Sequence, residues 1–322
     1  MALTYATLDT VTREVWRKKI ADNIYTGNVI LKIMLEDGRV NKREGGGEKI
    51  FEPIKYIKST SVGAYTRGGT FDISEQDNLT KAAFDWAFYY ANAQVFGQDL
   101  AKNAGAEKMI DLIGEKMDEA DMALRDKLGT DIYEGTTDII GLNTAVDATG
   151  TYGGIALAVF AGWAAGEDNT SYTQSQLIDS SDPTTYIKDL FAKAVRTATK
   201  LGQAPNLIVV PLIVWDIYES VLETQARYNK NARSEMIAAA GFNTLLFRNI
   251  PVVADEKATA ARAWFLNTNF MNFNLLSTKN FEWSGWKKPT NQDAMVGQFT
   301  VGCQLSITNR RMFYKFTGLP TS

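Results

Sequence analysis

The spacing of hydrophobic residues changes along the chain and predicts a mixture of helices and strands. Between Gly97 and Gly129, apolar residues recur every three or four positions, which predicts one long helix with a single buried face. At about 1.5 Å per residue this helix is about 45 Å long, enough to act as the spine of a domain. Its predicted buried residues are Leu100, Met109, Leu112, Ile113, Met117, Ala120, Leu124 and Leu128.

The segment before this helix has the period of two that is typical of a β-strand. In TKAAFDWAFYY the even-numbered positions are apolar and mostly large, whereas the odd-numbered positions are small or polar near its start. The pattern predicts one strand whose buried face consists of Ala82, Phe84, Trp86, Phe88 and Tyr90.

The second half of the chain alternates short apolar runs with helical patterns, which predicts a compact α/β part. A helix should start at Asp182-Pro183, where the aspartate suits the N-cap and the proline the first turn, and should end at Gly202. A buried strand over NLIVVP and a helix around Trp215 follow. The remaining predicted strands are Thr244–Phe247, Pro251–Ala254, Ala263–Leu266 and a last one near Gln304–Phe316. The predicted fold class is therefore α+β.

The segment from Asp37 to Leu79 fits neither pattern. It holds seven glycines, scattered charges and few large apolar residues. Strands are plausible at Lys49–Ile57 and Tyr65–Ile73, but neither face of the first one is cleanly apolar. We therefore expect an extended hairpin with no core of its own, and its length favours a functional role.

Three consecutive glycines, Gly45, Gly46 and Gly47, precede a lysine at the start of this hairpin. A phosphate-binding loop needs a glycine four residues before Gly-Lys-Ser/Thr, and Glu48 interrupts that pattern. Because glycine adopts positive φ angles at little cost, a hinge that leads into a strand is the better interpretation.

Basic residues are concentrated in the same hairpin. As a nucleic-acid groove the hairpin lacks an aromatic platform beyond Tyr56 and Tyr65. Contact with an acidic surface of another subunit fits better, because complementary charges fix the register between partners. The residues predicted to make such inter-subunit contacts are Lys49, Lys55, Lys58 and Arg67.

Composition excludes several classes of function. The 322 residues are 45% hydrophobic and 22% charged with a net charge of −3, which is typical of a globular protein and not of a protein that coats nucleic acid. The chain has no histidine and a single cysteine, Cys303, so Ser–His and Cys–His catalysis and an internal disulfide are excluded. We predict no catalytic, cofactor-binding or metal-binding residue. The longest apolar run, Ile155 to Ala165, is too short to cross a bilayer, so we expect no membrane partner.

The order of these elements resembles the major capsid proteins of tailed bacteriophages, the HK97-like fold. The resemblance covers essentially the whole chain. It rests on the order of several stretches, each weak alone: GGGEKIFEPIKY, GQDLAKNAGAEKMIDLIGEKM, GLNTAVDATGTYGGI, APNLIVVPLIVWDIYESVLETQARY, GFNTLLFRNIPVVADE, AWFLN and QLSITNRRMFYKFTGL.

The resemblance implies a fold with an N-terminal arm (1–35), an extended β-hairpin loop, or E-loop (36–80), and a peripheral domain with a spine helix (81–135). It further implies an α/β axial domain (136–286) and a return to the peripheral domain (287–322). Such subunits form hexamers and pentamers that close into an icosahedral capsid around double-stranded DNA, without sequence-specific DNA binding. The protein would then be a component of the virion, assembled in the host cytoplasm, with a separate scaffolding protein, a portal and possibly a decoration protein as partners.

Some members of that family cross-link their subunits through a loop lysine and a distant asparagine. Lys55 or Lys58 could occupy the lysine position, but no partner asparagine or catalytic carboxylate can be matched, so we expect no cross-link. Arm-like sequence follows almost directly after Met1, so we expect no scaffolding segment that is cleaved off. Two alternatives stay open at this point: an encapsulin-like compartment shell and a soluble α/β enzyme that uses carboxylates.

Overall fold

The computed structural model describes residues 28–43, 47–55, 61–74, 79–102, 106–156, 166–168, 186–200, 202–223 and 244–320. The helices in these ranges are α1 (Val29–Glu36), α2 (Gly97–Lys102), α3 (Ala106–Glu134), α4 (Leu142–Ala145), α5 (Tyr186–Ala198) and α6 (Leu212–Glu223). The strands of the first half are β1 (Val40–Arg43), β2 (Lys49–Lys55), β3 (Leu79–Asp85), β4 (Ala87–Phe96), β5 (Thr151–Tyr152), β6 (Ile155–Ala156) and β7 (Gly166–Asp168). Those of the second half are β8 (Leu207–Val210), β9 (Thr244–Phe247), β10 (Ile250–Ala254), β11 (Ala263–Leu266), β12 (Met271–Leu276), β13 (Glu282–Trp283), β14 (Ala294–Ile307) and β15 (Tyr314–Phe316).

A five-stranded sheet is built around the long strand β14. Strands β12 and β13 pair with one edge of β14 and β4 pairs antiparallel with the other, from Ala294 opposite Phe96 to Cys303 opposite Ala87. Strand β1 extends the sheet by pairing parallel with β12. Helix α3 packs against β4 and so covers one face of this sheet.

A mixed six-stranded sheet, in the order β7-β15-β11-β8-β10-β9, forms the second layer. Successive residues of its central strands face two different cores: Leu207 and Val209 join the core beneath the five-stranded sheet, whereas Ile208 and Val210 join a core with α5 and α6. Because both faces of β8 are buried, its sequence is an unbroken apolar run. This confirms the buried strand predicted over NLIVVP. Strands β8, β9, β10 and β11 confirm the four predicted strands of this part to within a residue or two.

The predicted spine helix is confirmed, with differences at both ends. Its central stripe is buried as expected from Ile113 to Leu128, while the side chains of Leu100, Met109 and Leu112 lie outside those described. The helix runs through Gly129 and ends at Glu134. Gly129 is therefore a packing residue and not a terminator, because a Cβ there would lie 2.4 Å from Asn28 Oδ1.

The last turn of the spine helix is tied to the six-stranded sheet by a buried pair. The Tyr133 hydroxyl donates a 2.5 Å hydrogen bond to Asp255 Oδ2, just after β10. Burial raises the pKa of the Asp255 carboxyl, and the bonds from Tyr133 and from the Lys257 amide only partly oppose this. The pair connects the two layers at a point where neither partner is exposed to bulk water.

The strand predicted from TKAAFDWAFYY is wrong beyond Phe84. Trp86 belongs to neither β3 nor β4, and this one-residue break reverses the alternation. Ala82 and Phe84 are buried as predicted, but Phe88 and Tyr90 are exposed, and Tyr89 is buried in their place. A shift of one residue moves every following side chain to the opposite face of a sheet.

The sheets divide the chain differently from the predicted ranges 136–286 and 287–322. Strand β12 belongs to the five-stranded sheet because it pairs with β14, and β15 belongs to the six-stranded sheet because it pairs with β11. The last strand predicted near Gln304–Phe316 is in fact two strands, β14 and β15, separated by a 3₁₀ turn at Arg310–Met312. Chain proximity thus does not determine which layer a strand joins.

Most of the predicted arm, residues 1–27, lies outside the described residues. The part that is described, α1, buries Val29, Ile30, Leu31, Ile33 and Met34 in the core of its own chain. Within the described part of the chain, no helix is both long and apolar enough to cross a membrane.

Candidate assembly surface

The extended hairpin consists of a base that packs on the protein and a tip that does not. In the base, β2 pairs antiparallel with β3, from Lys49 opposite Asp85 to Lys55 opposite Leu79. The predicted partner strand Tyr65–Ile73 is wrong: residues 61–74 contain no strand, and a turn at 66–69 is closed by the Gly69 amide on the Thr66 carbonyl. Strand β3 pairs instead, with Phe84 opposite Ile50 and Ala82 opposite Glu52.

The base is buried, which corrects the expectation that this hairpin has no core of its own. Ile50 and Ile54 are each 1% exposed and pack with Phe84 in the main core. Glu52 lies between the two isoleucines and is only 7% exposed. The sequence indicated a mixed face, but the Arg43 guanidinium, 2.8 Å from Glu52 Oε1, compensates the carboxylate there.

The loop tip, residues 61–74, presents large apolar side chains to solvent. Val62 is 82% exposed and Ile73 93%. Tyr65 and Phe71 are also exposed, and their rings meet edge to face at 5.0 Å. Exposed apolar clusters of this kind are uncommon on monomers and mark surfaces that bind another protein.

Local hydrogen bonds shape one end of the loop tip. Asp72 Oδ1 accepts bonds from the Ser74 hydroxyl at 2.6 Å and the Ser74 amide at 3.0 Å. These two bonds lower the pKa of the Asp72 carboxyl. Ile73, which lies between these two residues, is therefore placed on a hydrogen-bonded turn.

Of the four predicted contact residues, the structure describes the side chains of Lys49 and Arg67. Lys49 Nζ lies 3.0 Å from Asp85 Oδ1 of its own hairpin, on a solvent-exposed surface. Arg67 is exposed at the turn of the loop tip. Lys55 is the last residue of β2 but its side chain is not among those described, and Lys58 lies outside the described residues.

Of the three predicted hinge glycines, only Gly47 lies within the described residues. Its φ is +107°, a conformation that side-chain-bearing residues rarely adopt. A Cβ at this position would meet no atom closer than 3.7 Å, so the backbone angle and not the space requires glycine. The Gly47 carbonyl accepts a 3.0 Å bond from Trp86 Nε1, which fixes the start of β2 against the break between β3 and β4.

A second exposed aromatic surface lies on the outer face of the five-stranded sheet. Phe88 and Tyr90 of β4 point away from the core, and the Phe88 ring lies over Gly302 of β14, where a Cβ would come within 3.1 Å of it. We call the exposed side of β4 and β14 the outer sheet face. Asn92 and Gln94 lie on the same side of β4 as Phe88 and Tyr90, and these two polar residues were the signal in the sequence that could have shown which side is exposed.

A groove runs between β4 and the spine helix, and its charge is mixed. Its polar lining includes Asn92, Lys116, Glu119 and Lys127. Lys116 Nζ and Glu119 Oε2 are 2.6 Å apart, and this hydrogen bond is the main reason that the Lys116 pKa is raised. The exposed side of the helix is thus not a purely acidic face, although Glu115 and Glu119 both reach solvent there.

Few groups in the described residues have the surroundings of a reactive site. Cys303 is fully buried, and burial raises the pKa of its thiol. In the same ranges no three Asp, Glu or Cys side chains are grouped so that they could hold a metal ion. The features that stand out are the exposed apolar side chains of the loop tip and of the outer sheet face.

A scan against protein-family models finds no match, and a search of curated proteins finds none either. Solved structures, in contrast, are similar over most of the chain. The capsid of cyanophage A-1(L) is 16% identical with a TM-score of 0.59, over 87% of this chain and 90% of that one. The capsid of Myoviridae phage XM1 is 13% identical with a TM-score of 0.56, over 88% and 91%.

An encapsulin has a comparable similarity. The holo-SrpI encapsulin complex of Synechococcus elongatus is 8% identical with a TM-score of 0.53, over 88% of this chain and 86% of that one. At these identities the likeness shows the fold alone. The chain has the HK97-like fold, and the predicted fold class and resemblance are confirmed.

Proposed function

We propose that this protein is the major capsid protein of a tailed double-stranded DNA bacteriophage and that it assembles as hexamers and pentamers into an icosahedral shell. Its role is structural and not enzymatic. The shell encloses DNA without reading its sequence, in keeping with a net charge of −3. A separate scaffolding protein, a portal and a decoration protein are further proposed partners.

The observation that carries this proposal is the loop tip. Val62, Tyr65, Phe71 and Ile73 are exposed in the single chain, while one face of the base of the same hairpin, with Ile50 and Ile54, is packed in the core. Burying one such side chain against a neighbour contributes roughly 1.5–3 kcal/mol. A closed shell repeats that contact in every subunit, so modest contacts combine into a stable particle.

Charge would set the register of the loop on its neighbour. We propose that Lys49, Lys55, Lys58 and Arg67 meet acidic groups of the adjacent subunit. Glu115 on the exposed side of the spine helix is one candidate among these groups. Because the groove beside it also contains lysines, opposite charges would select one position of the loop instead of attracting it uniformly.

The three glycines would allow the loop to change its angle as the shell matures. The positive φ of Gly47 is the described feature that supports a hinge at this end of the hairpin. We also propose that no covalent cross-link forms between subunits. On a denaturing gel of mature particles, this subunit should then run at 35.7 kDa, and a ladder of its multiples would contradict this.

An encapsulin-like compartment shell is the second candidate, favoured by the likeness to the encapsulin complex of Synechococcus elongatus. The two candidates share the fold and differ in cargo. Particles purified after nuclease treatment should contain protected DNA if the protein is a phage capsid. Particles that protect a protein cargo and no DNA would favour the compartment.

Size-exclusion chromatography with light scattering tests the proposed class of function. A shell protein should elute as capsomers of five or six chains or as particles. Elution as a stable monomer or dimer across a wide concentration range would support the enzyme alternative and contradict the proposal.

A further inference from the structure

A closed ring of polar side chains lies at the base of the extended hairpin. Arg43 Nη2 donates to Glu52 Oε1 at 2.8 Å, and Arg43 Nε donates to Asn274 Oδ1 at 3.0 Å. Asn274 Nδ2 donates to Ser306 Oγ at 2.9 Å, and the Ser306 hydroxyl donates to Glu52 Oε1 at 3.3 Å. The ring connects β2 of the hairpin with β1, β12 and β14 of the five-stranded sheet.

The ring holds a charge in a place where an unpaired charge would be costly. Glu52, Asn274 and Ser306 are all buried, and Glu52 lies between two isoleucines of the main core. A buried carboxylate that loses its partner strongly destabilises the structure around it. The Arg43 side chain, in contrast, is 36% exposed, so water can reach the cationic end of the pair.

The position of the pair in the chain gives it a possible mechanical effect. Arg43 ends β1 and Glu52 lies within β2, so their contact closes the segment that contains the three glycines. The same hairpin base is also held by the Trp86 bond to Gly47 and by the Ala83 amide, which donates to the Gly153 carbonyl at 2.9 Å. Outside this base the loop tip is exposed.

We propose that the Arg43–Glu52 pair is an ionic latch that sets where the extended loop can bend. With the latch closed, the base up to Ile54 and Thr80 stays on the sheet and movement is confined to the part beyond it. With the latch open, the base keeps its apolar packing but loses its ionic attachment to the sheet, so it separates from the sheet more often and the bend can begin nearer Gly47. The inference rests on the proposed function in one respect: a shell protein has a use for a loop with two such states.

Hydrogen exchange of the full-length, unassembled chain tests the latch directly. Glu52→Gln keeps the shape of the side chain but removes its charge, and Arg43→Gln removes the cation at a partly exposed position. Charge-assisted bonds are about twice as strong as neutral ones, so exchange in β2 and β3 should rise at least about tenfold in both variants. Exchange in the spine helix α3 should not change.

Lys49→Gln is the matched control, because it removes the exposed pair with Asp85 on the same hairpin. Exposed pairs contribute little, so its exchange should match that of the wild type. Wild-type exchange in both Glu52→Gln and Arg43→Gln would overturn the proposal. So would an equal rise in α3, because the ring would then support the whole fold and not the hairpin alone.

Failure of the latch and failure of the proposed function give different results. Exchange is measured on the unassembled chain and reports only on the hairpin base. Particle formation by the wild-type chain reports on the function whatever the exchange result. If the wild-type chain forms particles but neither Glu52→Gln nor Arg43→Gln raises exchange in the hairpin base, only the latch is overturned.

Discussion

The sharpest prediction compares two isoleucines of the same hairpin. Ile54 lies in the base and is 1% exposed, whereas Ile73 lies in the loop tip and is 93% exposed. Replacing each with serine makes the same chemical change in two environments. We expect Ile54→Ser to destabilise the folded chain, and Ile73→Ser to weaken assembly without destabilising the chain.

The magnitudes follow from burial. Ile54→Ser removes a packed side chain and places a hydroxyl in its cavity, which should cost the folded chain roughly 3–5 kcal/mol. Ile73→Ser touches no core, so the free energy of unfolding should change by less than about 0.5 kcal/mol. If Ile73 is buried against a neighbour, its loss should weaken each contact by roughly 2 kcal/mol, which is on the order of a thirtyfold change in affinity.

Two measurements separate these effects. Urea unfolding of the unassembled chain gives the stability of each variant. Light scattering against protein concentration gives the threshold at which particles form. Ile73→Ser should unfold like the wild type but assemble only at a much higher concentration. Assembly at the wild-type threshold, or a loss of stability as large as that of Ile54→Ser, would refute the proposed role of the loop tip.

Three further predictions follow from the hairpin and the spine helix. Charge reversal at both Lys55 and Lys58 should prevent particle formation while circular dichroism shows a folded chain, and normal particles would count against charge-guided register. Gly46→Pro should leave capsomers intact but block any later expansion, which cryo-electron microscopy of early and mature particles would show; normal expansion would remove the hinge. Asp255→Asn should cost more stability at pH 3 than at pH 7. Because its pKa is raised, the native Asp255 carboxyl keeps its proton at pH values above 3.8. The stability that the protonated carboxyl contributes is lost as the pH rises through the folded pKa. Tyr133→Phe removes a bond that lowers this pKa and should therefore cost more at pH 7 than at pH 3. An equal cost of Asp255→Asn at both pH values would contradict the argument.

Strongly periodic segments could be predicted from sequence because their own residues decide their structure. The stripe from Ile113 to Leu128 forms one face of a helix whatever it packs against. The run over Leu207–Val210 is buried on both sides, and an unbroken apolar strand of this length has few other solutions.

The hairpin could not be predicted in the same way, because distant partners determine it. The burial of Glu52 depends on Arg43 and on Asn274 and Ser306, more than 200 residues away in the chain. The reversal of alternation at Trp86 depends on its bond to Gly47, a contact that no local period reveals. As a result the prediction placed Phe88 and Tyr90 in the core and missed the outer sheet face.

In the candidate site, too, the local sequence pattern predicted one part and distant contacts determined the rest. The length, glycines and charges of residues 37–79 predicted an extended loop, and strand β2 of the hairpin base and the loop tip lie in this segment. The sequence did not show that the exposed apolar residues of the loop tip distinguish this segment from an ordinary connection more clearly than the lysines of the hairpin do. Their exposure becomes visible only when the base is seen to be packed and the tip is not.

Negative-stain electron microscopy of the 322-residue chain shows directly whether the protein forms a shell. The account predicts closed, roughly spherical shells of uniform size, or rings of five and six subunits when the scaffolding protein is absent. A field of small single molecules at every concentration, with no rings or shells, would contradict it.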